Sequence, residues 1–167
     1  MKTIYHLLTI ILAFLVSNCV QPPNYPAIPA IEYVGMNQQA IEQGNANTLP
    51  DTLEITFSFT DGDGDLGFGP GDSTVDIFLT DSREGFTDIK KLPMIPDQGI
   101  GNGISGEITV RLPNRLPLCC TYADNSTPCL PHPTIKTDTM SYTIQIKDRA
   151  GNMSNKIQTE VITILCN

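Results

Sequence analysis

Three aspartates at alternate positions, Asp61, Asp63 and Asp65, with Gly62 and Gly64 between them, carry the densest chemistry in this chain. Carboxylates so close repel one another unless a cation gathers them, and glycine lets the backbone curl until alternate side chains converge. Hard oxygen ligands on a pliable loop suit calcium better than magnesium or zinc. With Asp61 as the first position of an EF-hand-like loop, Asp63 and Asp65 stand at three and five, the Gly67 carbonyl at seven and Asp72 at twelve. The match stops short of an EF-hand. Leu66 occupies the place of the turn glycine, Asp72 that of the usual Glu, and strand-like sequence flanks the loop. The spacing predicts one calcium site with Kd on the order of 10⁻⁴ to 10⁻³ M. The competing reading is a solvated turn made of good turn formers.

The other reactive residue types gather late in the chain. Cys119, Cys120, Cys129 and Cys166 form an even set, which in an oxidising compartment reads as two disulfides. A bond between the neighbours Cys119 and Cys120 would close a strained ring, so Cys166 is expected to bond one of that pair and Cys129 the other. Zinc is the competing reading, because Cys129-Leu-Pro-His132 has a tight Cys-x-x-His spacing with two thiols close by in sequence. Catalysis has little to work with. The two histidines are His132 and His6, the latter in the N-terminal apolar segment, so a Ser-His-Asp or Cys-His arrangement would depend on His132 alone. Gly99-Ile-Gly-Asn-Gly103 has the glycines of a phosphate loop but no lysine. The chain has no tryptophan to build a sugar-stacking platform. The expectation is a non-enzymatic protein.

A net charge of −8 argues against nucleic acid as a partner, since binding there rests on neutralising phosphates with Lys and Arg. The N-terminus gives an address. Lys2 precedes Ile4 to Val16, a run that is apolar apart from His6 and Thr9, of secretory length and too short to span a bilayer. Val16-Ser17-Asn18-Cys19 then resembles a bacterial lipoprotein signal, in which residues 1–18 are removed and Cys19 carries lipid on its thiol and on the new amino terminus. Asn18 departs from the usual Gly, Ala or Ser before the cysteine, and the looser pattern of Bacteroidota-type lipoproteins allows it. The resemblance implies a protein exported and held at the membrane, the outer membrane foremost, through a lipid anchor. An ordinary secretory peptide would equally imply export.

Residues 20–30, VQPPNYPAIPA, hold four prolines in eleven positions. Such a segment favours extended polyproline II, so residues 19–30 read as a stiff stalk. Beyond it the period is two. Leu53, Ile55, Phe57 and Phe59 alternate with polar residues, as do Met140, Tyr142, Ile144 and Ile146. Val75, Ile77 and Leu79 share one face, and Ile104, Ile108, Val110 and Leu112 share another with Gly106. These are half-buried strand patterns rich in β-branched and aromatic residues. Within Ile157 to Leu165 the phase breaks: Ile162 and Ile164 oppose Ile157 and Val161, which predicts a bulge or burial on both faces. Weaker strands are expected over Ile31 to Val34 and Ile89 to Ile95, with Pro93 confining the latter to an edge. No stretch has a helical period. The fold class is all-β: an antiparallel sandwich of about seven strands over residues 31–167.

The segment YTIQIKDRAGNMSNKIQTEVITI, Tyr142 to Ile164, resembles the last hairpin of bacterial immunoglobulin-like domains, where a strand ends in Asp-x-Ala-Gly-Asn and the chain turns back. Phe57 to Gly67 is similar to a strand and acidic loop of Bacteroidota-type envelope lipoproteins. The resemblance implies an immunoglobulin-like sandwich in the envelope and names no activity. In that strand order the acidic loop and the Asp148–Asn152 turn share one end, so Asp148 or Asn152 would complete the ion site. The connection over 113–138 lies at the other end and brings Cys166 near the remaining cysteines. The leading expectation is a lipid-anchored binding or structural module whose partner is an envelope or extracellular protein or glycan. The alternatives are a glycan- or substrate-capture lipoprotein of an outer-membrane uptake system and a small disulfide-stapled hydrolase.

Overall fold

Alternation decides the longest strand. In Thr52–Asp61 every second side chain, from Leu53 to Asp61, is buried and the intervening ones are half-exposed, the pattern of a strand with one face on a core. The computed structural model describes residues 24–44, 49–96 and 103–167. The proposed signal of 1–18, the lipidation residue Cys19 and the first residues of the stalk lie outside the described residues.

The strands in chain order are β1 (Ala30–Met36), β2 (Ala40–Glu42), β3 (Thr52–Asp61), β4 (Ile77–Asp81), β5 (Thr87–Lys90), β6 (Ile104–Pro113), β7 (Thr137–Met140), β8 (Tyr142–Ile146), β9 (Ile157–Gln158) and β10 (Ile162–Leu165). They form sheets ordered β1-β3-β6, β5-β4-β8-β9 and β2-β10-β7. All ladders among these strands are antiparallel except β2 with β10, which is parallel. The all-β expectation holds. Inward residues of β3 and β6 meet those of β4, β8 and β10 in a single apolar cluster, with Phe57 and Tyr142 its largest fully buried members. Each fully buried Leu, Ile or Phe contributes roughly 1.5–3 kcal/mol, so this shared core fixes the sheets on one another.

The phase break near the C-terminus has a local cause. Thr159 donates its N–H to the Tyr142 carbonyl at 2.9 Å, while its Oγ1 accepts the Tyr142 N–H at 3.0 Å. A side-chain oxygen thus takes the place of a backbone acceptor between β9 and β10, and Ile162 and Ile164 re-enter on the core side. β5 stops at Lys90, short of the expected Ile95, because the Leu92 N–H beyond it turns to Asp76 Oδ1 at 2.6 Å. The stalk segment is described from Asn24 onward, and it joins the domain before the first strand, for Pro29 is already buried. β3 and β8 both end at the acidic loop, whereas β4 ends and β8 begins at the cysteine-rich connection: Ile77 pairs Ile146 and Asp81 pairs Tyr142.

Candidate metal centre

Asp61 is the last residue of β3, and the strand's alternation sends its side chain inward behind Phe59 to zero exposure. Gly64, at φ 71°, then lets the chain double back, and the Asp65 N–H donates to Asp61 Oδ2 at 2.9 Å. The turn brings Asp61, Asp63 and Asp65 together, each with a carboxylate oxygen within 4.8 Å of the others. Asp61 is buried, Asp65 half-buried and Asp63 exposed, so the group is open to solvent on one side. Asp61 Oδ1 and Asp65 Oδ1 are both buried with no hydrogen-bond donor. Unpartnered buried oxygens are rare in folded proteins and cost roughly 1–3 kcal/mol each.

The electrostatics follow from this crowding. Burial and the Asp63 and Asp65 charges push the Asp61 carboxyl up to about 7, against the help of the Asp65 N–H. Asp65 is raised as well, by burial first and then by Asp148 and Asp63, with the Ala150 N–H and Arg149 opposing. A divalent cation gathered by these carboxylates would offset most of that repulsion and give the unpartnered oxygens a partner.

The turn after β8 docks on this loop. The Arg149 N–H donates to the Asp65 carbonyl at 3.1 Å, and the Ala150 N–H donates to Asp65 Oδ2 at 2.9 Å. Asp148 is fully buried behind them. Its oxygens accept the Asn152 backbone N–H at 2.7 Å and the Asn152 Nδ2 at 2.8 Å. The turn is therefore both the hairpin its Gly151 (φ 94°) suggests and a neighbour of the acidic cluster. Asp148 adds its charge to the cluster while its own oxygens serve Asn152.

Two residues counted as ligands from the spacing stand elsewhere. The Gly67 carbonyl accepts Arg149 Nη1 at 2.9 Å, and the Leu66 carbonyl accepts the same nitrogen at 3.2 Å. Asp72 is exposed and accepts the Thr74 N–H at 2.8 Å; those Thr74 bonds hold its carboxyl below the usual range. The reason is a change of direction at Gly67. This residue lies at φ 76° against the Pro93 carbonyl, where any Cβ would collide. The chain beyond it bridges from Phe68 to Pro93, so Asp72 leaves the cluster. Sequence counting also missed the N-terminal segment: the Gly62 N–H, between two of the aspartates, donates to the Pro26 carbonyl at 2.8 Å.

The opposite end of the sandwich holds two disulfides, Cys119–Cys129 and Cys120–Cys166, with Cα separations of 5.0 and 5.9 Å. Of the two expected pairings this is the one adopted, and with all four thiols bonded the zinc reading falls. His132 closes the same connection. Its Nε2 faces Asp124 Oδ2 at 3.1 Å and its Nδ1 accepts the Ile135 N–H at 3.0 Å. Beside the cysteines Arg83 lies between Asp81 and Asp138, with Nη2 2.7 Å from Asp81 Oδ2 and Nη1 2.5 Å from Asp138 Oδ2.

Comparison with protein-family models, with characterised proteins and with solved structures returns no match for this chain.

Proposed function

We propose that the protein is a lipid-anchored, non-enzymatic module of the cell envelope, an immunoglobulin-like sandwich that binds an envelope or extracellular protein or glycan. One calcium ion, held by Asp61, Asp63 and Asp65, stiffens its acidic end. The observation that carries the ion is Asp61: a carboxylate at zero exposure with an unpartnered Oδ1, next to the unpartnered Oδ1 of Asp65. Oxygen-only donors on a loop with two glycines suit calcium, and the exposed Asp63 leaves room for water to complete its shell. The pairing of β1-β3-β6 against β5-β4-β8-β9 supports the immunoglobulin-like reading, and the two disulfides support export.

Titration of the purified protein with calcium chloride tests the ion. Binding should be one to one and weak, with magnesium much weaker, and Asp63→Ala should abolish it. A flat titration to 10 mM calcium, ten times the upper end of the affinity range expected for such modules (about 10⁻³ M), would leave only a solvated turn. The anchor is tested by Cys19→Ser, which should move the protein from the membrane to the soluble fraction.

A second reading, glycan capture, rests on a groove of about 470 Å³ between the β4–β5 turn and the cysteine connection. Phe86, 57% exposed, stands on its rim beside Asp81, Glu84 and Asp88. An exposed ring among carboxylates is material for stacking and hydrogen-bonding a sugar. Loss of glycan-array binding on Phe86→Ala, with the fold intact, would favour it over a protein partner.

A further inference from the structure

We infer that the ion at Asp61, Asp63 and Asp65 is a clasp for the N-terminal segment, so that its occupancy decides whether Tyr25–Pro26 lie on the sandwich or swing clear of it. The inference rests on the calcium reading and adds to it a mechanical consequence. Gly62 is the residue between the first two ligands, and it is also the residue on which the segment sits. Its N–H donates to the Pro26 carbonyl. The space a Cβ would fill is occupied by the backbone of Tyr25 and Pro26. Next to it the Tyr25 ring takes the Cβ space of Gly103, with its Cδ2 2.8 Å from that point and the Asp61 carbonyl 3.0 Å away. Two glycines therefore form a seat for Tyr25 and Pro26, and one wall of that seat is the backbone of a metal ligand.

The segment has a fixed end to pivot on. Ala30 pairs with Thr60, and Asn155 grips the next residue from both sides. Its Oδ1 accepts the Ile31 N–H and its Nδ2 donates to the Ile31 carbonyl, both at 2.8 Å. Residues beyond Ile31 are thus held whatever happens at the acidic loop. Ahead of Ala30, Pro29 and Pro26 have no N–H to give, so docking depends on the Gly62 donor and the glycine seat. With the ion bound, Asp61 and Asp63 converge and Gly62 is held at the geometry that accepts Pro26. With the ion removed, the same carboxylates repel across Gly62, and the seat opens. Because coupling is reciprocal, a docked segment must tighten ion binding by the factor by which the ion favours docking. A stiff proline-rich tether attached to such a clasp would transmit the switch to the orientation of the whole domain.

Amide exchange at Gly62, followed by NMR on the full mature chain in calcium chloride and then in chelator, reads the clasp directly. Calcium should slow exchange of this N–H by at least about fivefold, the low end of ordinary coupling. Tyr25→Ala leaves all three ligand carboxylates in place; it should remove most of that protection and weaken the calcium Kd by a similar factor, while the melting temperature in chelator stays put. If calcium binds but protects Gly62 equally in wild type and Tyr25→Ala, the loop stiffens alone and the clasp is wrong, although the ion site stands. If calcium binds and Gly62 exchange is unchanged, the clasp is again wrong. If calcium does not bind at all, the ion reading fails and takes the clasp with it.

Discussion

Both ends of this sandwich bury carboxylates, and they neutralise them in opposite ways. At the cysteine end Arg83, with only 12% of its side chain exposed, reaches Asp81 through Nε and Nη2, and Asp138 and the Cys119 carbonyl through Nη1. Burial works against the Asp138 charge, yet the Thr121 N–H and Arg83 hold its carboxyl below the usual range. At the acidic end the available cation is spent differently: Arg149 Nη1 bonds the carbonyls of Leu66 and Gly67. The cluster beside it keeps two unpartnered oxygens, and Asp61 and Asp65 are raised instead of lowered. The same residue types thus give one end that the chain completes by itself and another whose chemistry asks for a cation from outside.

Removing the internal cation should have the largest effect. Arg83→Met strands Asp81 and Asp138, and breaking a buried pair in this way costs roughly 3–5 kcal/mol. Arg149→Met removes hydrogen bonds to carbonyls and should cost about 1 kcal/mol. Urea unfolding of both variants compares them, and equal losses would break the contrast between the two ends. Next comes the covalent staple. Replacing Cys120 and Cys166 together by serine frees the end of β10 and should cost roughly 2–5 kcal/mol, read from the same curves. Calcium should leave that difference unchanged, because the bond and the acidic loop lie at opposite ends.

The strands were legible because burial on one face imposes a period of two, and Leu53 to Phe59 or Met140 to Ile146 show it without interruption. β2 was not. Three residues carry no period, and its parallel pairing with β10 is decided by where the chain crosses between sheets. The convergence of Asp61, Asp63 and Asp65 was legible because glycines between alternating side chains leave few other outcomes. Gly67 and Asp72 were misplaced because counting along a loop assumes even curvature, and the close approach of Gly67 to Pro93 comes from a distant segment. Arg83 gave no sequence signal at all: its partners stand two and fifty-five positions away.

A smaller effect is expected from the external cation. Calcium at tenfold excess over Kd should stabilise the fold by about 1.4 kcal/mol, a rise of a few degrees in melting temperature for a domain of this size. Asp63→Ala should lose the response, whereas Asp72→Ala, outside the cluster, should keep it. An equal loss in both variants would mean that the loop gathers differently around the ion than it does without it.

The smallest effect sharpens the comparison most, since the two ends should respond to pH with opposite signs. Asp138 has a lowered folded pKa, so its contribution is present above the unfolded value and is lost as pH falls through the folded one. For Asp61 the folded pKa is raised, to about 7 from 3.8. Between those values the folded state holds a proton that the unfolded state has released, so stability falls as pH rises and the loss is complete above about 7. In chelator, going from pH 6 to pH 8 should therefore cost about 1 kcal/mol. Asp61→Asn isolates this contribution from those of the other ionisable groups of the chain. The wild-type slope minus the variant slope should be negative in chelator and vanish in saturating calcium, because an ion-bound carboxylate no longer takes up the proton. A difference that persists in calcium would mean that Asp61 stays outside the coordination shell, leaving Asp63 and Asp65 as the carboxylates that hold the ion.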